Sequence, residues 1–199
     1  MRESIKISYI AIFSGLALAT SLSGISHILI YPPVPYLKFD PAEIFDMIAY
    51  LLGGPLIGII TSSIHFLGLT VLSGDIIGPS MKYVAVLSMI VGYHIGGYLS
   101  DSHLIKIGLS TLTRIIIMSI LNLIVLIMIA PSFLEIFKVY NQLFILDLSG
   151  LDILIIALIL TGVYNLIHNI ISISIAGSIV SYVSRGFRSQ IRSSPHPSS

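Results

Sequence analysis

YPPVPYLKFDPAEIFDMIAYLL, residues 31–52, gathers four prolines, three carboxylates and a lysine inside a chain that is otherwise overwhelmingly apolar. Asp40, Glu43 and Asp46 follow one another at intervals of three, so a helix opened at Pro41 carries them close to one face of its first turns. Charges at the mouth of a membrane helix are costly, and they persist where water, a partner or a ligand offsets that cost.

The surroundings of this stretch set the class. Of 199 residues, 55% are hydrophobic and 10% charged, against about 25% charged in an ordinary soluble domain. Mean hydropathy is +1.01. The chain reads as an all-α integral membrane protein lying in a lipid bilayer. A formal charge of +1 says nothing about nucleic acid, but the chain has no basic, aromatic-interleaved patch, so no nucleic-acid partner is expected. Without cysteine there is no disulfide framework, thiol chemistry or Cys-ligated metal. The length suits one bundle and leaves no room for a soluble catalytic domain. The first apolar run, residues 5–30, is too long for the core of a cleavable leader and has no small-residue cleavage site after it.

Cut against the roughly 20 residues that cross a bilayer, the apolar runs give six helices. The first covers 5–30 and is stopped by Pro32, Pro33 and Pro35. A short second helix over 41–52 ends at Gly53-Gly54-Pro55, which supplies both a stop and the next start. The third covers 56–72, and the turn SGDIIGP over 73–79 leads to a fourth at 79–99. A polar link, SDSHLIK, precedes a fifth at 112–130, closed by Pro131. An amphipathic stretch over 132–149 precedes a final helix at 152–183, longer than a bilayer needs. Residues 1–185 are expected to form a six-helix membrane domain, and the Ser/Pro-rich 186–199 a disordered cytoplasmic tail.

Six spans put both termini on one side, with Arg2, Lys6, Lys106, Arg114, Arg185, Arg188 and Arg192. Lys38, Lys82 and Lys138 fall on the other. The excess of cations makes the termini cytoplasmic in a cell membrane. The proline-broken, acidic segments then face outward, where an arriving ligand is first met.

Two patterns within the helices bear on function. Ala11, Gly15 and Ala19 form a small-residue stripe, which reads either as packing inside the bundle or as a docking face for a separate subunit. Thr161, Asn165, His168 and Ser172 recur every three or four residues, with Tyr164 and Asn169 beside them, and Asn122 is the polar oddity of the fifth helix. Each alone reads as a buried group satisfied by a neighbour. Together they read as a pocket lining for a neutral polar ligand.

These residues carry a resemblance. LKFDPAEIFDMIAYLLGGPLIGIITSSIHFL is similar to the first loop and next two helices of riboflavin-type substrate-binding (S) components of energy-coupling factor (ECF) transporters. SGDIIGPSMKYVA, RIIIMSILNLIVL and GVYNLIHNIISISIAGSIV resemble, in order, that family's GxxxGxxxNFxA, RxxxMxxLNY and PFNLIKGII segments. The resemblance spans residues 31–183. It implies a six-transmembrane-helix bundle with an outward-facing pocket that captures riboflavin or a related water-soluble vitamin for ATP-driven uptake. The partners implied are a transmembrane T component and two ATPase subunits. Asn122, Asn165 and His168 fall on the positions that hydrogen-bond the flavin ring. The chain departs from the family at His168, at His65 in the third helix, where the family has lysines, and at Lys82, where it has asparagine. Exchanging lysine for a group that titrates near neutrality alters the recognition chemistry.

The expected ligand-binding set is therefore Asn122, Asn165, His168, Tyr36, Asp40, Lys82 and His65, with Ala11, Gly15 and Ala19 as the partner face. Asp40, Glu43 and Asp46 read as solvated or helix-capping acids or, equally, as groups that shape the outer gate or hold the loop over the ligand. Lys38 reads as a snorkelling side chain or a partner of Asp40. Tyr31 and Tyr36 suit an interface belt or a lid on a flat ring.

No cofactor or metal site is expected, and no enzyme. The chain has no G-x-x-x-x-G-K-[ST] for ATP hydrolysis and no intramembrane protease motif. The competing classes are a stand-alone secondary carrier for a small polar solute, for which only the histidines would serve as proton carriers, and a purely structural membrane subunit.

Overall fold

The computed structural model describes residues 2–129, 131–133 and 150–193, and the side chains among them except those of Phe133 and residues 187–193. The described residues form six α-helices: α1 (Glu3–Leu22), α2 (Ala42–Gly53), α3 (Pro55–Ser73), α4 (Ile77–Leu99), α5 (His103–Ile124) and α6 (Gly150–Ser193). No strand occurs among them, only an isolated antiparallel bridge between Ile30 and Lys38.

The helix ends follow local chemistry. Pro41 precedes α2, and Gly54, in a positive-φ conformation that glycine adopts freely, separates α2 from α3 with Pro55 at the first helical position. Gly74, also at positive φ, ends α3. Asp75 accepts hydrogen bonds from the backbone N–H groups of Ile77 and Gly78 and opens α4.

Three boundaries differ from the sequence reading. The first helix stops at Leu22, not residue 30, because Gly24 takes the left-handed conformation and turns the chain. Ile25, Ile28, Leu29 and Ile30 are apolar, so hydropathy alone carries the run onward. The fifth helix begins at His103, nine residues before the expected start, so most of SDSHLIK is its first turn. α5 continues into a wider π-turn over Val125–Ile129. The amphipathic stretch from residue 134 onward and residues 194–199 of the expected tail lie outside the described residues, while α6 runs unbroken to Ser193, ten residues past the expected end, so residues 186–193, expected in the disordered tail, are helical instead.

Short turns make α2 to α5 successively antiparallel. α6 runs against α5, with Asn165 beside Arg114, Asn169 beside Ser110 and Gly177 beside His103. The start of α1 and the far end of α6 therefore share one end of the bundle. The α1–α2 loop and the α3–α4 turn share the other.

α4 and α5 approach closely: a Cβ on Gly92 would lie 2.7 Å from the Ser110 Cα, and one on Gly96 2.7 Å from the Lys106 Cα. One apolar core lies towards the end that holds the termini, built on Met47, Val86, Met89, Ile90 and Ile173. A second ties the α1–α2 loop to α5 and α6 through Tyr31, Val34, Leu126, Ala157 and Tyr164. The buried polar groups lie between the two.

Among the described residues, four helical segments are long and apolar enough to cross a membrane: Glu3–Leu22, Pro55–Ser73, His103–Ile129 and Gly150–Gly186. α2, at 12 residues, spans about 18 Å. α4 has the length but is diluted by Pro79, Lys82, His94 and its tyrosines. Large apolar side chains such as Ile7, Leu56, Val71 and Ile120 point outward, as lipid-facing helices require.

Candidate functional site

The site starts from the spacing of the three acids. Glu43 and Asp46 lie one turn apart on α2, 2% and 0% exposed, facing the bundle interior, and Asp40 lies at the foot of the loop just before α2. All three acids are buried, which excludes the solvated reading. Asp40 does cap α2, since its Oδ1 accepts from the Ala42 N–H at 2.9 Å. Each carboxylate also meets a basic group.

Glu43 accepts two hydrogen bonds from Arg114, 2.6 Å from Nη1 and 3.1 Å from Nη2. This is the bidentate fork that guanidinium geometry favours. Arg114 is 1% exposed. Its placement at the cytoplasmic edge is thereby corrected: with α5 beginning at His103, Arg114 lies three turns inside the helix.

Arg114 organises two residues of the α6 stripe. Its Nε donates to Asn165 Oδ1 at 3.2 Å, and its Nη2 donates to His168 Nδ1 at 3.3 Å. Asn165 Nδ2 in turn donates to the Thr161 carbonyl. His168 Nε2 lies 3.2 Å from the Asp40 carbonyl, which can only accept, so Nε2 carries a hydrogen, while Nδ1 lies 3.1 Å from the Tyr164 hydroxyl as well as facing Arg114. The Tyr164 hydroxyl donates to the Lys38 carbonyl at 2.6 Å. Asn169 instead ties α6 to α5 through Ser110 and Thr111.

Asp40 Oδ2 accepts from Lys82 and from the Ser21 hydroxyl. Lys82, not Lys38, is thus the lysine that pairs with Asp40. Lys38 approaches His27 Nδ1 at 2.8 Å. Burial pushes the Asp40 carboxyl up, but the Lys82 charge and the hydrogen bonds from Lys82, Ala42 and Ser21 outweigh it and hold the group below its ordinary range. The third acid, Asp46, meets His65 Nδ1 at 3.0 Å, and His65 Nε2 meets Ser21 Oγ at 2.9 Å.

Beside this layer lies a cavity of about 530 Å³. Its walls are mostly apolar, with Leu69, Met81, Met118 and Leu126 among them, and its mouth lies between the α1–α2 loop and the α3–α4 turn. That size and composition are typical of small-molecule sites. Of the seven residues expected to bind ligand, Tyr36, Asp40, Lys82, Asn122 and Asn165 line the cavity. His168 and His65 do not. His168 stands behind the wall, bonded to Arg114, and His65 borders a separate void of about 10 Å³ with Asp46, Ser62 and Lys82.

Glu43 and Arg114 also reach the wall, and the sequence reading assigned Arg114 no part in the site. Since Glu43 neutralises Arg114 and Asp40 neutralises Lys82, the deep wall is polar without net charge. Burial pushes the Tyr36 phenol up to about 12, so it presents a neutral hydroxyl. Such a surface suits a ligand with an apolar body and a few polar edges. Among the described residues no cluster of three or more His, Asp or Glu is arranged to hold a metal ion.

The α1–α2 loop is folded on itself over the cavity. Tyr31 N–H donates to the Leu37 carbonyl and Phe39 N–H to the Leu29 carbonyl. Tyr31 packs against Phe39 and Tyr164 and is buried, away from the mouth. The small-residue stripe has a definite position as well. Ala11, Gly15 and Ala19 are all exposed, and a Cβ on Gly15 would meet nothing within 4 Å, so the stripe does not pack inside the bundle.

No protein-family model matches the chain, and no curated protein matches it. Among solved structures it is similar to the S component of a bacterial ECF transporter, with a TM-score of 0.68 and 18% identity over 94% of this chain and 99% of that one. The chain therefore has the fold of an ECF transporter S component.

Proposed function

We propose that the chain is the membrane-embedded substrate-binding subunit of an ECF-type importer, and that it captures riboflavin or a closely related water-soluble vitamin. The observation that carries this reading is the 530 Å³ cavity, lined by Asn122, Asn165 and the neutralised Arg114 and Lys82 and covered by the α1–α2 loop. A tricyclic, largely apolar ring with amide and imide edges suits such walls: the apolar side chains take its faces and the amides its edges.

In this reading α2 and α4 complete six membrane crossings, and both termini are cytoplasmic. Removing the buried Arg114 and Lys82 from the charge tally leaves the bias in the same direction. The cavity mouth then faces outward. The exposed Ala11, Gly15 and Ala19 stripe is the docking face for the T component, where small residues allow a second helix to come close. Uptake is driven by two partner ATPases. The structural-subunit reading has no use for the cavity.

The test is to purify the full chain in mild detergent and titrate it with riboflavin, following quenching of flavin fluorescence. Saturable binding at one flavin per chain, weakened in Asn122→Ala, is expected. Absence of binding to riboflavin, together with absence of any co-purifying small molecule by mass spectrometry, would contradict the proposal.

A further inference from the structure

A chain of hydrogen bonds leads from the cavity wall to a buried acid that ligand recognition leaves unused. It runs from Lys82 and Asp40 to Ser21, on to His65 and ends at Asp46. The side-chain contacts of Ser21 and His65 are 2.9 Å from Lys82 Nζ to Ser21 Oγ, 3.0 Å from Ser21 Oγ to Asp40 Oδ2, 2.9 Å from Ser21 Oγ to His65 Nε2 and 3.0 Å from His65 Nδ1 to Asp46 Oδ2. Four elements contribute: α1, the α1–α2 loop with α2, α3 and α4.

Counting hydrogens along the chain gives a definite result. Ser21 has one hydrogen to donate and two lone pairs. If that hydrogen goes to the Asp40 carboxylate, Oγ is an acceptor for both Lys82 and His65, so His65 must carry a proton on Nε2. The Nδ1–Asp46 contact then needs a second proton, on His65 or on Asp46. If Ser21 turns its hydrogen to His65 instead, Nε2 is bare, the ring proton sits on Nδ1 facing an ionised Asp46, and Asp40 has lost one donor. Ser21 serves one side or the other, never both.

Asp46 is fully buried, and its Oδ1 has no hydrogen-bond partner. A bare anion there is costly, and a proton held in the pair removes the charge. The titratable or charged groups around the pair are Glu43 on α2, Lys82 and Tyr83 on α4, and Asp40 in the loop. Glu43 is matched by Arg114, and Tyr83 is bonded to Ser63.

The geometry points to the Asp46–His65 pair as a proton-binding site wired through the Ser21 hydroxyl to Asp40 in the cavity wall, so that loading of the cavity is linked to proton release. This rests on the reading of the cavity as a solute site. When the proton leaves, Ser21 Oγ takes the hydrogen from His65 Nε2 while its own hydrogen passes to Asp40 Oδ2, from which water in the cavity removes it. The proton left in the pair settles on Nδ1, and the Ser21 hydroxyl points at the bare Nε2. A ligand hydroxyl or N–H that donates to Asp40 takes the place vacated by Ser21 and favours this second state. Such a ligand releases one proton on binding, and its affinity rises with pH.

Two measurements on the full chain in detergent test this. In the ligand-free protein, nitrogen NMR of labelled histidine should show His65 protonated on Nε2 at low pH and on Nδ1 alone at high pH. Ser21→Ala or Asp40→Asn should shift the midpoint of that change. A His65 protonated on Nδ1 alone at every pH, or a midpoint untouched by both variants, overturns the proposal. With riboflavin as the probe, affinity should rise by up to about tenfold per pH unit as pH climbs towards the same midpoint and level off above it, and Ser21→Ala should flatten the slope. A flat wild-type profile with clear binding overturns the link to loading. Failure of riboflavin to bind at any pH counts against riboflavin as the solute and leaves the His65 midpoint as the deciding result.

Discussion

Arg114 and Glu43, 71 residues apart in the chain, meet through two hydrogen bonds inside the bundle, each side chain almost fully buried. The pair joins α5 to α2 and, through Asn165 and His168, fixes the orientation of α6 at the cavity. Removing one partner strands the other in an apolar interior. Arg114→Met should cost about 3–5 kcal/mol of stability, read as a lower denaturant midpoint in detergent. Adding Glu43→Gln should recover most of that loss. A single variant as stable as the parent would show that the pair is hydrated.

Asn122 and His168 separate recognition from scaffolding. Asn122 lines the cavity, so Asn122→Ala should weaken riboflavin binding by about 1–3 kcal/mol, with little change in melting. His168 stands behind the wall and holds Arg114 and the Asp40 carbonyl. His168→Ala should therefore lower both affinity and melting temperature. Equal effects of the two variants on melting would remove this distinction.

Tyr164 fastens the loop through its 2.6 Å bond to the Lys38 carbonyl. Tyr164→Phe keeps the ring packing and loses that bond, at a cost of about 1 kcal/mol. Hydrogen exchange should quicken in residues 31–39 and remain slow in α4. Unchanged exchange there would show that the loop is held by its apolar contacts alone.

Two glycines make opposite predictions. A Cβ on Gly92 would press on the α5 backbone at Ser110, so Gly92→Ala should destabilise the bundle by about 1–3 kcal/mol. Gly15 faces open space, so Gly15→Leu should leave folding and riboflavin binding intact while abolishing ATP-driven uptake in cells that supply the T component and ATPases. Loss of riboflavin binding in Gly15→Leu would refute a docking role confined to that face.

How much of this was legible in the sequence depended on what marked each feature. Proline and glycine punctuate α2 and α3, and both ends of α2 lie within a residue of the expected ones. Asn122 and Asn165 stand out as amides on apolar helices, and both reach the cavity. Arg114 was missed for a physical reason. SDSHLIK looks like an aqueous link because its side chains are polar, yet Ser102 precedes the helix and His103 to Lys106 form its first turn at the bundle's end. Starting α5 nine residues late places Arg114 at a helix mouth, where a cation is cheap, instead of deep inside, where it demands a partner. The three-residue rhythm of Asp40, Glu43 and Asp46 signals a shared face, but their partners lie on other helices, and nothing local to 40–46 identifies Arg114, Lys82 or His65. Ser21, between Thr20 and Ser23, carries no distinct signal, since hydroxyls near a helix end ordinarily bond their own backbone, as Ser23 does to the Thr20 carbonyl.

The central claim is that the polar-edged cavity between the α1–α2 loop and the buried Arg114–Glu43 layer holds a flavin. Equilibrium titration of the purified full chain with riboflavin tests it most directly. The account predicts one flavin per chain, with affinity lowered roughly tenfold in Asn122→Ala, as about 1.4 kcal/mol of lost recognition implies. Binding that is absent, or equally tight in Asn122→Ala and Asn165→Ala, would contradict it.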